Sequence, residues 1–329
     1  MNKYVDLHLH LDGSLPKEVL GDLAKLSGVT LPTEDPAELE QYITVIHDGP
    51  DLTLTKCLEK FALPISLLQT EESLELSVYA LLRKLSGMNV LYAEIRYAPG
   101  VHCRKGLTQT QVMEAVLRGL HRGTAEFPIK AQIIACCMRG ADYEVNLETL
   151  RVAKAYLGQG VCCADLAGDE INFPTADYAD LFAWARQEGL PFTIHAGEAA
   201  GPESVRAALA MGAQRIGHGV GSIKDPELVA YLAEKQIPLE VCVTSNVQCC
   251  CVPSLEEHPV AKLLRAGVKV TLNTDNMTIS GTTQAGELEL VRKTFGLTDE
   301  ECRQLRRNAV DAAFLPQTEK DALWVELNK

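Results

Sequence analysis

The stretch Tyr4-Val-Asp-Leu-His-Leu-His10 is a short apolar run that is typical of a β-strand, and seven further runs of this kind follow it. They span residues 90–97, 131–137, 161–166, 192–195, 215–218, 239–244 and 268–275. Between most of these runs the apolar residues recur at helical spacing, as in residues 178–187 and 226–234. Strands and helices that alternate eight times predict an α/β fold, a parallel (β/α)8 TIM barrel.

The connection after the first strand is much longer than the others. Residues 12–89 contain several helical patterns, including those at 17–27, 51–68 and 71–86. Barrels keep variable segments on their catalytic face, so we expect this insertion to form a helical lid there. No internal repeat, low-complexity tract or linker interrupts the chain, and we therefore interpret residues 1–329 as a single domain.

The charge of the chain argues against two classes of partner. Its 329 residues carry a formal net charge of −13 and contain no long run of Lys or Arg. Such a chain repels polyanions, so we expect neither nucleic acid nor an anionic membrane as a partner. The sequence shows neither a signal-peptide pattern nor an apolar stretch long enough for a bilayer, which favours a cytoplasmic protein. The oligomeric state cannot be deduced from these features.

The eleven cysteines are unusual in number and spacing. Several are adjacent, at residues 136–137, 162–163 and 249–251, and no Cys-x-x-Cys pair occurs. That spacing excludes zinc-knuckle and thioredoxin-like motifs. We interpret most of these cysteines as small buried apolar residues in a reducing compartment.

Polar residues that suit a metal stand near the ends of several strands. His8 and His10 are two positions apart on strand 1, so their side chains point to one side of the sheet. His195, His218 and Asp275 stand at the ends of strands 5, 6 and 8, and these ends meet at one mouth of a barrel. The His-x-His pair alone only slightly favours a metal over two structural histidines. The other histidines (His47, His102, His121 and His258) we interpret as ordinary surface or packing residues.

Imidazole and carboxylate ligands favour zinc, with a coordination position open for water. A two-metal site would usually have a bridging group such as a modified Lys at the end of strand 4. That run, residues 161–166, has no Lys. We therefore expect one zinc per chain.

Six motifs then identify a resemblance. They are His8-Leu-His10-Leu-Asp12-Gly13, Asp165-Leu-Ala-Gly168-Asp-Glu170, His195-Ala-Gly-Glu198, Gly217-His218-Gly219, Thr244-Ser-Asn246 and Asn273-Thr-Asp275. Their order and spread over nearly the whole chain resemble the adenosine deaminase family. The resemblance implies hydrolytic deamination of adenosine, and of 2′-deoxyadenosine, to inosine and ammonia by a zinc-activated water.

The resemblance also implies a role for each site residue. His8, His10, His195 and Asp275 would bind zinc, while His218 would orient the metal-bound water and help to deprotonate it. Glu198 would protonate N1 of the purine, and the N–H of Gly168 would donate to N3.

The chemistry of the residues agrees with these roles. Zinc lowers the pKa of a bound water to about 7, which supplies hydroxide near neutral pH. Glu198 needs a raised pKa to arrive protonated, and burial beside an aromatic base could supply that. It could instead be an ordinary acidic residue in the first turn of a helix. Asp165 could orient a ligand or the water, or be a structural strand-end residue.

The sequence signals for substrate contacts are less specific than those for the metal ligands. Asp12 resembles the family's ribose contact, whereas the related adenine deaminases tend to carry Glu there. Leu58 and Phe61 resemble the apolar lid helix that closes over the base, although this spacing is also typical of a core. Asn276 follows Asp275 where many members have a second Asp that donates to purine N7. The Asn amide has a permanent N–H donor, so we expect that contact to be retained.

Three other functions compete with this one. The cytidine-type zinc deaminases carry His-x-Glu and Pro-Cys-x-x-Cys motifs, and this chain has neither. Adenine, a 5′-modified adenosine or aminofutalosine are alternative substrates within the family. A non-catalytic nucleoside-binding protein should have lost a ligand or the acid, and this chain keeps all of them.

Overall fold

The computed structural model describes residues 2–45 and 54–329, so His47 and the start of the helical pattern at 51–68 lie outside the described residues. Eight strands are present in these two ranges. They are β1 (Tyr4–His10), β2 (Val90–Tyr97), β3 (Lys130–Met138), β4 (Val161–Ala167), β5 (Thr193–Ala196), β6 (Arg215–His218), β7 (Pro238–Val241) and β8 (Lys269–Leu272). Each occurs where the sequence predicts a strand.

The strands form two parallel sheets that meet at both edges. Strands β1–β4 are hydrogen-bonded in order in one sheet, and β5–β8 in the other. Ala164 of β4 forms a single bridge with Phe192 just before β5, and Leu9 of β1 forms another with Asp275 just after β8. At the second junction the N–H of His10 donates to the carbonyl of Asp275 at 2.7 Å. The eight strands therefore follow one another round a ring, the barrel that the sequence predicts.

Helices connect the strands and cover the outside of the ring. They are α1 (Leu20–Ser27), α2 (Pro36–Ile43), α3 (Leu54–Glu59), α4 (Ala62–Leu67), α5 (Glu71–Gly87), α6 (Gln109–Glu126), α7 (Tyr143–Ala155), α8 (Ala179–Gln187), α9 (Pro202–Met211), α10 (Pro226–Lys235), α11 (Val243–Gln248), α12 (Val260–Arg265), α13 (Gln284–Phe295), α14 (Asp299–Ala312) and α15 (Gln317–Leu327). No helix in the described ranges is both long enough and apolar enough to cross a membrane.

The insertion after β1 contains the helices that the sequence predicts, with one interruption. The pattern at 51–68 is two short helices, α3 and α4, separated at Lys60 and Phe61. Pro64 lies in the first turn of α4, where it has no N–H to donate to the Lys60 carbonyl, so one continuous helix is disfavoured. Helix α5 begins at a capping box in which the Thr70 hydroxyl accepts from the N–H of Ser73.

The predicted ends of two strands were wrong. The apolar run at 239–244 leaves the sheet after Val241, because α11 begins at Val243 and turns the chain across the barrel mouth. Strand β8 ends at Leu272 rather than at Asp275. Asp275 has a left-handed backbone (φ 57°), which Asp tolerates better than β-branched residues and which is incompatible with a continuing strand.

Candidate active site and metal centre

Four side chains that suit a metal meet at the mouth of the barrel. His8 and His10 lie on β1, His195 lies on β5, and Asp275 follows β8. The Nε2 atoms of His10 and His195 are 3.2 Å apart. Asp275 Oδ1 lies 3.4 Å from His10 Nε2 and 3.5 Å from His8 Nε2. The structure thus brings together the four ligands expected from the sequence.

Buried carboxylates hydrogen-bond to the Nδ1 atoms of two of these imidazoles and so fix their orientation. Glu240 Oε2, on β7, lies 2.8 Å from His8 Nδ1, and Asp165 Oδ2, on β4, lies 2.9 Å from His195 Nδ1. Arg96 of β2 links the two carboxylates, donating to Glu240 at 2.7 Å and to Asp165 at 2.8 Å. Each carboxylate accepts from Nδ1 and leaves Nε2 to face the centre of the site.

These donor groups fit a zinc ion. The buried Nε2 of His8 has no hydrogen-bond partner among the described residues. Burial lowers the pKa of His10 and of His195, which favours the neutral imidazole that binds metal. Three imidazoles and one carboxylate are a donor set that zinc accepts. The Cys242 thiol also lies near this group, but burial raises its pKa well above the ordinary range, which disfavours the thiolate.

Glu198 lies on the turn after β5, with its Oε1 atom 3.6 Å from His218 Nε2. Gly197 turns the chain here with a left-handed backbone (φ 66°). Burial raises the pKa of Glu198 well above its ordinary range, and the negative charges of Asp275 and Glu170 raise it further. The raised pKa favours the protonated carboxyl, which is the form that can donate a proton.

The carboxylate of Glu170 binds the backbone of that turn. It accepts hydrogen bonds from four consecutive N–H groups, those of residues 197–200, at 2.6 to 3.0 Å. The Ser204 hydroxyl in α9 donates to the same carboxylate. Charge-assisted bonds of this kind are the stronger class of hydrogen bond, so Glu170 holds the turn that carries Glu198 in one conformation.

A cleft of about 260 Å³ opens beside these groups. Its walls include all five residues that the sequence assigns to the substrate alone, namely Asp12, Leu58, Phe61, Gly168 and Asn276. The Phe61 ring lies 6.4 Å from the ring of His10, centre to centre. Leu58 and Phe61 pack against a small apolar cluster that includes Cys249 and Ile279, so α3 and α4 form one wall of the cleft.

Gly168 and Asp12 present polar groups to the cleft. The backbone of Gly168 is left-handed (φ 107°), and its N–H has no acceptor in the part of the chain that the structure describes. Asp12 is buried, and its Oδ1 accepts from the N–H of Gly13 at 3.1 Å. Both residues line the cleft, where these groups can contact a bound molecule.

Asn276 lies in the cleft wall directly against Gly13. A Cβ atom on Gly13 would come within 1.9 Å of Asn276 Oδ1, so only glycine allows this approach. That Oδ1 is buried and has no hydrogen-bond donor among the described residues. An Asn that caps a loop would use this oxygen as the acceptor, and Asn276 does not.

The interpretation of His258 as an ordinary surface or packing residue needs correction, whereas that of His102 does not. His102 and His258 are both buried, and the Nδ1 of His102 lies 2.9 Å from a backbone carbonyl. His258 Nε2 lies 3.3 Å from Asn246 Oδ1, and Asn246 Nδ2 lies 3.0 Å from His218 Nδ1. His258 is thus connected to the site through Asn246, whereas His121 is exposed as expected.

Sequence similarity agrees with this geometry. The family model for adenosine deaminase matches residues 4–329. An adenosine deaminase from Haemophilus ducreyi is 44% identical over 330 residues, covering 99% of this chain and 95% of that protein. The chain belongs to the adenosine deaminase family.

Solved structures extend the similarity to the whole fold. An adenine deaminase from Arthrobacter aurescens superimposes with a TM-score of 0.90 at 27% identity, covering 100% of this chain and 98% of that one. An amidohydrolase from Burkholderia ambifaria with bound zinc gives a TM-score of 0.88 at 25% identity, covering 99% of this chain and 90% of that one. This member of the adenosine deaminase family is therefore a deaminase-type hydrolase.

Proposed function

We propose that the protein deaminates adenosine and 2′-deoxyadenosine hydrolytically, to the inosine nucleosides and ammonia, with one zinc per chain. The observation that carries the proposal is the position of Glu198, a buried carboxyl with a raised pKa, beside His218 and the four-ligand cluster. Addition of water at C6 of the purine moves electrons onto N1. An acid placed at N1 stabilises that addition.

The residues divide the chemistry between them. His8, His10, His195 and Asp275 would hold zinc, which when bound lowers the pKa of a water and so supplies the nucleophile. Glu198 would donate its proton to N1, and His218 would orient the attacking water. The N–H of Gly168 would donate to N3, which fixes the plane of the base.

The cleft favours a neutral nucleoside over a nucleotide. Four carboxyl groups, that of Glu198 among them, and one guanidinium line its described walls, which contain no Lys. The guanidinium of Arg139 is already engaged, donating to the carbonyls of Phe173 at 2.7 Å and His195 at 2.6 Å. A 5′-phosphate would therefore lie close to the carboxylates of Asp12 and Asp169, and the walls that the structure describes offer it no Lys and only an Arg that is already engaged. Asp12 is the residue we assign to the ribose, and this favours adenosine over adenine.

A substrate panel tests the proposal directly. Adenosine, 2′-deoxyadenosine, adenine, AMP, 5′-methylthioadenosine and aminofutalosine would be offered to the zinc-loaded enzyme while the adenosine absorbance band is followed. We expect the two nucleosides to have the highest kcat/KM. A higher kcat/KM for adenine or for a 5′-modified compound would overturn the assignment, and binding without turnover of any of them would favour a non-catalytic protein.

Metal content gives a second test. We expect one tightly held zinc per chain, and its loss in the double variant His8→Ala plus His10→Ala, because two of the four ligands are then missing. Elemental analysis of purified protein measures this. The exposed His121→Ala is the matched control and should keep its zinc. Two metals per chain, or unchanged zinc in the double variant, would contradict the prediction.

The amide of Asn276 should recognise N7 of the base. A substrate with carbon at that position, 7-deazaadenosine, leaves the amide donor unpaired, which costs about 1–3 kcal/mol. We expect its kcat/KM to be lower than that of adenosine by about 5- to 150-fold. Asn276→Asp should retain activity that falls as pH rises, since only a protonated carboxyl can donate.

The control for this prediction is Asn276→Ala. If the amide reads N7, the ratio of kcat/KM for adenosine over 7-deazaadenosine should fall towards one in this variant. An unchanged ratio would show that the amide does not contact the base. Thermal unfolding of the same variant separates a loss of base recognition from a loss of stability.

We also place the protein in the cytoplasm. All eleven cysteines lie in the described ranges and are free thiols there, and eight of them are buried. Small buried thiols of this kind are typical of a reducing compartment.

A further inference from the structure

A chain of three hydrogen bonds begins at a backbone amide outside the cleft. The N–H of Val260 lies 3.2 Å from Nδ1 of His258. A backbone N–H can only donate, so Nδ1 of His258 is an acceptor and carries no proton. The proton of the neutral imidazole is therefore on Nε2. His258 is 1% exposed, and burial lowers its pKa to about 3, which keeps the ring neutral.

That tautomer sets the orientation of Asn246, which is fully buried. The Nε2–H of His258 points to Asn246 Oδ1 at 3.3 Å, and an amide oxygen accepts this bond. The amide nitrogen Nδ2 then faces Nδ1 of His218 at 3.0 Å. The opposite amide orientation would set the NH2 group against the Nε2–H of His258, donor against donor. The Val260 N–H therefore decides between the two orientations.

The amide nitrogen of Asn246 can only donate hydrogen bonds. Nδ1 of His218 must accept, and the proton of neutral His218 is on Nε2. This is the atom that faces the site, 3.6 Å from Glu198 Oε1. We propose that His258 and Asn246 are positioning residues that hold His218 as the Nε2–H tautomer.

The proposal changes the expected role of His218, and this consequence rests on the proposed function. In this tautomer Nε2 has no lone pair, so His218 donates a hydrogen bond to the oxygen that attacks the purine instead of removing its proton. His218 would thus orient the attacking oxygen and stabilise the negative charge on it. Asn246 and His258 contribute by keeping that donor in place.

Nitrogen-15 NMR of the zinc-loaded enzyme, labelled on histidine, measures the tautomer without reference to activity. We expect His218 to show a protonated Nε2 and an unprotonated Nδ1, with its signals assigned by their loss in His218→Gln. In Asn246→Asp the ionised carboxylate can only accept, so the proton of His218 should move to Nδ1. We expect kcat to fall about 10- to 100-fold while zinc is retained and KM changes little.

A second pair of variants tests His258 at the far end of the chain. His258→Gln offers an amide N–H towards Asn246 and should keep the His218 tautomer and most of kcat. His258→Leu fills similar space without a donor, so both tautomers of His218 should appear and kcat should fall. His102→Gln and His102→Leu are the matched controls, because His102 is a buried histidine that takes no part in this series of hydrogen bonds. If Asn246→Asp does not fold, the His258 pair carries the same test.

Two results would overturn the proposal: a proton on Nδ1 of His218 in the wild type, or the same tautomer in Asn246→Asp and His258→Leu as in the wild type. A different result would show that the proposed function is wrong. An enzyme that keeps the Nε2–H tautomer but does not act on adenosine would leave the hydrogen-bond chain in place and overturn only the substrate assignment.

Discussion

Glu198→Gln should lower kcat for adenosine about 100- to 10,000-fold, the contribution of a positioned general acid. Gln has the same shape and can hydrogen-bond to N1 of the base, but its amide does not release a proton readily. The variant should therefore bind zinc and the product inosine as the wild type does. Steady-state kinetics, elemental analysis and calorimetry with inosine measure the three quantities.

The pH dependence of the wild type follows from the same group. Burial, with the charges of Asp275 and Glu170, raises the pKa of Glu198, so the acid form persists to higher pH than in a free glutamate. Because that form is the active one, kcat/KM should fall as pH rises through the Glu198 pKa. Glu203→Gln, an exposed carboxylate close by in α9, should leave both the rate and the profile unchanged. A kcat near that of the wild type in Glu198→Gln would remove Glu198 from the mechanism.

The sequence was sufficient to predict the fold and the meeting of the metal-suited side chains, because both depend on strand ends. The stretch with His8 and His10 has the period of a strand, and His195 and Asp275 follow or end other apolar runs. A parallel barrel brings such ends to one mouth, so these side chains could be expected to meet there without knowing any distance. Which of them would bind zinc was implied only by the resemblance to the family. The left-handed turn that carries Asp275 beyond β8 could not be read from the sequence, since Asp tolerates several backbone conformations.

The sequence did not predict all of the side chains that hydrogen-bond to the histidine ligands. Arg96 and Glu240 stand inside β2 and β7, and Glu240 reaches His8 across 232 positions of the sequence. A charged residue within an apolar strand was the available signal, because a buried charge needs a partner. The positions of these charged residues in the sequence do not show which side chain each of them pairs with. His258 was missed because its contact with the site depends on the orientation of one amide, that of Asn246.

Glu170 ends the motif Asp165-Leu-Ala-Gly168-Asp-Glu170, and its role becomes visible only in the structure. Its Oε1 accepts from the N–H of Gly197, and its Oε2 accepts from the N–H groups of residues 198–200. The Gln side chain of Glu170→Gln has only one oxygen that can accept hydrogen bonds, where the carboxylate has two. The amide NH2 would then face at least one backbone N–H, donor against donor, and the turn that holds Glu198 would move.

We expect Glu170→Gln to lower kcat about 100-fold, the effect of displacing a catalytic group by about 1 Å, with a smaller change in KM and with zinc retained. Loss of the Glu170 charge also lowers the pKa of Glu198, so the fall in activity with rising pH should begin at lower pH. Ser204→Ala removes only a hydroxyl donor to the same carboxylate, and this control should stay within about threefold of wild type because all four N–H bonds remain. A Glu170→Gln enzyme with wild-type kcat and an unmoved pH profile, but a lower melting temperature, would show that Glu170 stabilises the turn without positioning Glu198 for catalysis.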